Sequence, residues 1–187
     1  MIDKRQQLLE TALMLFYANG VQAVGVNEVL KVSGIAKKTL YHHYASKESL
    51  VLAALEYRDL KFTEWFEGLI EGSKSNHELA VRMFKGLSKW FNNEVERLDQ
   101  FRGCFFINTS AEFSDPDSAI SDYCSKHKAK IREIIASHMV EEDEDLIDCL
   151  CLLKEGAIVA AYVGRDKNAA ENALKIAEQN IQRKMVH

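Results

Sequence analysis

Between Lys37 and Lys47 the chain places three lysines, two histidines, two tyrosines, a threonine and a serine within eleven residues. Ammonium groups neutralise phosphates, while hydroxyl and imidazole groups hydrogen-bond the edges of bases. The chemistry this set suits is recognition of a nucleic acid. His42 and His43 are a poor start for a metal site, because adjacent helical positions point about 100° apart. The four cysteines, Cys104, Cys124, Cys149 and Cys151, lack the paired spacing of a zinc site. Cys104 follows Arg102-Gly103, where a cation beside the sulfur would favour a reactive thiolate and make it a candidate thiol sensor. No nucleophile elbow, phosphate loop or His-Glu-x-x-His occurs, so the chain is not expected to be an enzyme or to need a metal or cofactor.

The elements that would carry these residues are helices. One proline and nine glycines in 187 residues leave few breaks, and apolar residues recur at helical spacing throughout. The fold class is all-α, with about nine helices. The first is expected over about 2–19, burying Leu8, Leu9, Ala12, Leu13, Leu15 and Phe16, and Gly20 stands where a C-terminal cap needs positive φ. A short helix over 26–32 buries Val26, Val29 and Leu30. Ser33-Gly34-Ile35-Ala36 makes a tight turn, and 37–44 forms a third helix. Two short helices joined by a turn containing glycine form a helix-turn-helix, whose second helix enters the major groove. Leu40 and Tyr44 then face inward, leaving Lys38, Thr39, Tyr41, His42 and His43 outward. Ser46 caps a long helix over 47–71, with Lys47 at its start. Further helices fall at about 76–97, 103–113, 116–139, 143–164 and 168–185. Asp115-Pro116 and the acidic run 141–145 read as helix starts.

Charge divides the chain in the same way. Residues 1–50 hold six basic and four acidic groups, while the remaining 137 hold 18 and 24, within a net charge of −4. A positive excess at one end favours phosphate there. The chain therefore reads as a DNA-binding head, 1–50, and a helical body, 51–187. An apolar fraction of 47% with 28% charged residues argues against disorder. No apolar run approaches the roughly 18 residues of a membrane span. No signal core follows the N-terminus, so the expected place is the cytoplasm.

The block Gly34-Ile35-Ala36-Lys37-Lys38-Thr39-Leu40-Tyr41-His42-His43-Tyr44, followed by Ser46-Lys47-Glu48, resembles the signature of the tetracycline-repressor-like (TetR) family. The resemblance spans residues 5–55. It implies a homodimer that reads a palindromic double-stranded DNA operator, and a helical regulatory domain that binds a small effector. By position, Asn27, Lys37, Lys38, Thr39, Tyr41, His42, His43 and Lys47 are the implied DNA contacts. Lys38 departs from the small glycine usual at that place. Gly25 stands where a threonine or serine often caps the second helix. The Val24-Gly25-Val26-Asn27-Glu28 run and the setting of Cys104 resemble a branch that includes electrophile-responsive repressors.

The body is rich in large apolar side chains, which a core and a ligand cavity would use alike. Trp65, Phe66, Phe91 and Phe105, with Asn108, Glu112 and Tyr123 as polar groups, are the candidate contacts for an apolar or aromatic effector. The last two helices carry the expected dimer surface, with Leu146, Ile147, Leu150, Leu153, Ala157, Ile158, Ala161 and Tyr162 on one and Ala169, Ala173, Ile176, Ala177 and Ile181 on the other. The rival reading is a helical binding protein for lipids or apolar metabolites whose head no longer meets DNA, and the intact basic segment at 37–47 argues against it.

Overall fold

The structure, a computed structural model, describes residues 3–113 and 115–185. Among these residues there are nine α-helices and no strand. α1 (Lys4–Asn19) starts where the Asp3 carboxylate accepts the Arg5 N–H at 3.1 Å. The expected start at Ile2 lies outside the described residues. α1 ends at Gly20, whose φ of 89° lets its N–H reach the Phe16 carbonyl. α2 (Val26–Ser33) and α3 (Lys37–His43) pack on α1 and on each other. Of the three residues expected to be buried on α2, Val29 is fully so, while Val26 and Leu30 are half-buried.

α4 (Lys47–Ile70) follows the Ser46 cap, with Ser46 Oγ taking the Ser49 N–H at 3.1 Å and Ser49 Oγ taking the Ser46 N–H at 3.0 Å. α5 (Asn76–Phe91) is shorter than the expected 76–97. Asn93 turns into the left-handed region at φ 62°, and its side-chain oxygen accepts the Phe101 N–H at 2.6 Å. The chain then makes one 3₁₀ turn (Glu96–Leu98) that buries Leu98. α6 (Phe105–Glu112) and α7 (Ala119–Ser137) come next. The expected start at Pro116 is overtaken by Ser118, whose Oγ takes the Ser121 N–H, while Asp115 closes a turn ahead of it. α8 (Glu144–Tyr162) is capped by Asp143, and α9 (Ala169–Met185) is the last helix among the described residues.

By compactness the chain divides into two units, Met1–Leu60 with Phe105–His127, and Lys61–Cys104 with Lys128–His187. The boundary expected at residue 50 falls inside α4, whose turns up to Leu60 belong to the first unit. In the second unit α5, α8 and α9 pack pairwise. Ala169, Ala173 and Ala177, four apart on α9, give a buried edge small enough for close helix approach. No helix among the described residues is long and apolar enough to cross a membrane.

Candidate DNA-binding interface

The turn between α2 and α3 is built by local chemistry. Gly34 takes the left-handed conformation (φ 68°, ψ 13°) and returns its N–H to the Leu30 carbonyl at 3.0 Å. Ser33 Oγ accepts the Ile35 N–H at 3.3 Å, and Gln7 of α1 donates its side-chain amide to the Ser33 carbonyl at 2.9 Å. These bonds leave the angle between α2 and α3 little freedom.

α3 is anchored from beneath. Leu40 is wholly buried, and Tyr44, just past the helix, is nearly so. The Tyr44 hydroxyl donates to the Arg5 carbonyl at 3.2 Å, under the Arg5 guanidinium 5.8 Å from the ring centre. Burial raises the Tyr44 phenol above its ordinary value, with Arg5 opposing, so the ring keeps its donor proton. With this face fixed inward, Lys37, Lys38, Tyr41 and His42 stand in solvent, while Thr39 and His43 are half-buried. Lys37 Nζ lies 5.9 Å from the Tyr41 ring centre. Neither Lys37 nor Lys38 has a carboxylate partner among the described residues, so both charges face outward unneutralised. Asn27 is exposed on the first turn of α2, where Gly25 supplies no side-chain cap. Lys47, at the start of α4, reaches the Gln22 carbonyl at 3.5 Å. Among the described residues no group of three or more His, Cys, Asp or Glu is placed to hold a metal ion.

The effector candidates divide between the units. In the second, Trp65, Phe66 and Phe91 join one aromatic cluster through Phe62, Trp90 and Phe101, with ring centres 4.8–6.4 Å apart. Phe91 also lines a surface cavity of about 300 Å³ with Asn92, Asn93, Ala161, Arg165, Asp166 and Lys167. In the first unit, Phe105 is buried edge-on to Tyr17, and Asn108 is half-buried. Tyr123 is pushed up to about 12 by burial and then by the Asp59 and Glu56 charges. Glu112 is already bonded to the backbone of Val21 and Gln22.

Other polar groups were missed by reading the sequence. Asp59 is buried against His127 Nδ1 at 2.6 Å, and the imidazole stacks on Phe106 at 3.5 Å. Arg58 is buried with its guanidinium 4.8 Å from the Tyr17 ring centre. A signal for these two existed: positions 55, 58–59, 62 and 66 form one helical stripe, so Arg58 and Asp59 interrupt an apolar face. Cys104 is buried, and its neighbouring cation is Lys128, with Nζ 3.3 Å from Sγ. Arg102, the cation expected from the sequence, donates to Gln100 at 3.1 Å. Lys128 also meets Glu155 at 2.7 Å, and Glu155 is shared with the buried Lys154. Burial works against the Lys128 charge, but Cys104 and Glu155 outweigh it and hold the ammonium above its ordinary value.

The dimer stripe also needs correction. Leu146, Ile147, Leu150, Ala157 and Ile158 of α8, and Ala169, Ala173, Ala177 and Ile181 of α9, are consumed by the chain's own core. The exposed apolar positions on these helices are Leu152, Val159, Tyr162 and Val163 along α8 and its cap, and Ile176 on α9, so Tyr162 and Ile176 of the expected stripe do face outward.

Residues 8–54 match the family model of bacterial regulatory proteins, tetR family. The chain is 37% identical over 139 residues to the HTH-type transcriptional regulator LmrA of Bacillus subtilis (strain 168), covering 70% of this chain and 72% of that protein. It is 23% identical to the HTH-type transcriptional repressor NemR of Escherichia coli (strain K12), over 92% of this chain and 90% of the relative. The solved structure of SCO4454, a TetR-family transcriptional regulator from Streptomyces coelicolor, superposes with a TM-score of 0.84 at 23% identity, over 96% of this chain and 95% of that one.

Proposed function

The chain belongs to the tetR family of bacterial regulatory proteins, and from that premise we propose that this DNA-binding transcriptional regulator is a homodimeric repressor, released from a palindromic operator by a small apolar or aromatic effector. The observation that carries the reading is α3, which buries Leu40 and presents Lys37, Lys38, Tyr41 and His42 to solvent. Lys38 and Tyr41 read bases from the major groove, with Thr39, His42 and His43 beside them. Lys37, Asn27 and Lys47 hold the phosphates on either side. The similarity to a protein named a repressor, NemR, supports repression over activation. An aromatic effector is supported by the Trp65, Phe66 and Phe91 cluster beside a cavity of about 300 Å³.

The test is selection of bound duplexes from a random pool, by the parent and by Lys38→Ala and Lys47→Ala variants. The parent should recover an inverted repeat. Lys47→Ala should weaken binding to all sequences and lower the salt slope by about one, while Lys38→Ala should change the sequence recovered. Repeating the selection with planar aromatic compounds should lose the repeat when an effector is present. A pool without enrichment removes the operator, and variants indistinguishable from the parent remove the contact assignment.

A second mode of release, chemical modification of Cys104, is supported by the ammonium of Lys128 at 3.3 Å from its sulfur. That contact holds the sulfur beside a charged donor of α7, inside the regulatory body, where a covalent adduct would add bulk.

A further inference from the structure

α6 is seated in the first compact unit at several points along its length. Phe105 meets the edge of Tyr17 at 5.8 Å, Phe106 stacks on His127, and Thr109 is wholly buried. Glu112, the last residue of α6, leaves this interior for the turn that joins α1 to α2. One carboxylate oxygen accepts the Val21 N–H at 2.9 Å and the other accepts the Gln22 N–H at 2.6 Å. These are charge-assisted bonds to consecutive peptides, a stronger clamp than neutral bonds of the same length.

Three further observations tie this clamp to the head. Val21 is 1% exposed, so its N–H would lose a partner where water replaces it poorly. Gly20 precedes it at φ 89°, a backbone conformation that side chains with a Cβ rarely adopt, and a Cβ there would stand 3.1 Å from a Glu112 oxygen. On the far side of the same residue, the Gln22 carbonyl accepts Lys47 Nζ at 3.5 Å. Residue 22 is thus held by an anion on its N–H and by a cation on its carbonyl. That cation stands at the start of α4, immediately beyond α3.

We propose that Glu112 is a positioning residue for operator binding: its carboxylate fixes the α1–α2 turn and so sets where α2, and Lys47 across it, meet the DNA. The inference rests on the reading of α2, α3 and Lys47 as the DNA-binding elements. Glu112 acts through the backbone of Val21 and Gln22 and not by contact with DNA.

The experiment measures operator affinity, thermal midpoint and amide exchange for the parent, Glu112→Gln, Lys47→Ala and the double variant. Glutamine keeps the size of glutamate but offers one acceptor oxygen for two N–H groups. Glu112→Gln should bind the operator roughly tenfold more weakly while remaining folded. The Val21 and Gln22 amides should exchange faster, and those of α1 should not. The double variant should lose less than the product of the two single losses. If glutamine destabilises the fold, Glu112→Asp, one methylene too short to keep both bonds, serves in its place. Unchanged operator affinity with faster exchange makes Glu112 structural only and overturns the proposal, as do single losses that multiply in full when Lys47→Ala itself weakens binding. A neutral Lys47→Ala beside a weakened Glu112→Gln removes the phosphate assignment and leaves the role of Glu112 standing.

Discussion

At the scale of single residues, Cys104 shows how far a local reading carries and where it stops. Its thiol, buried at 7% exposure, has Lys128 at 3.3 Å, and Lys128 and Lys154 share the one carboxylate of Glu155. Attack on N-ethylmaleimide makes one S–C bond from a sulfur lone pair while the C=C π bond breaks, and its electron pair takes up the proton lost from the thiol at the neighbouring carbon. Labelled parent should release the operator, and a Cys104→Ser variant treated alike should retain it. Equal release from both would end the role of Cys104. Lys128→Met should change the labelling rate, since it removes the ammonium that donates to the sulfur. The sequence offered Arg102 as that cation because only neighbours along the chain are visible there. Lys128 comes from α7, 24 residues away, and only folding pairs them. Glu112 was legible as a polar group among apolar runs and not as a backbone acceptor, because its partners lie 90 and 91 residues distant. Lys38, Tyr41 and Leu40 were legible together because one seven-residue helix decides which of them face out.

At the scale of elements, starts and stops could be read wherever a cap carries its own chemistry. Gly20, Gly34, Ser46 and Asp143 end or begin helices through a positive φ or a short side-chain oxygen. The end of α5 was missed because Asn92-Asn93 sits inside a pattern that stays helical up to residue 97. Asparagine nevertheless tolerates the left-handed turn that breaks it. The start of α7 was missed because two capping signals compete, and Ser118 lies closer to the helix than Asp115. Gly86 in the middle of α5 looks like a weak point of about 1 kcal/mol relative to alanine. Yet a Cβ there would meet Leu69 Cδ1 at 2.2 Å. Overpacking costs about 1–3 kcal/mol, so Gly86→Ala should lower stability by roughly 1 kcal/mol net. Denaturant unfolding checks this, and the cost should shrink in a Leu69→Ala background. A raised midpoint would mean that Leu69 moves aside freely.

For the whole molecule, the proposed operator of two half-sites would demand a second copy of the chain. The exposed stripe of α8 suits that copy: Leu152 is 74% exposed and Val163 73%, with Val159 between them and Ile176 contributed by α9. Both faces of α8 are apolar, so periodicity selected the face the chain buries for itself. Leu152→Glu and Val163→Glu should leave each protomer folded and turn the protein monomeric in sedimentation. Operator affinity should fall by about 10²-fold or more, since the second head is no longer tethered to the first. A parent that sediments as a monomer at micromolar concentration, or a charged variant that stays dimeric, would remove this interface. The charge division belongs to this scale too. A basic excess over residues 1–50 and an acidic excess over the rest turn one end of each chain toward phosphate.

The chain has two tryptophans, and both stand in the second compact unit, their ring centres 6.0 Å apart. The first unit, with every residue assigned to DNA, has none. Nature has thereby placed an optical label on one half of the molecule. Tryptophan emission follows the Trp65–Trp90 cluster and is blind to the melting of the helix-turn-helix, whereas far-ultraviolet ellipticity weighs all nine described helices. The gap between the two signals during heating is a direct gauge of how strongly the halves share their stability, without any dye or added chromophore.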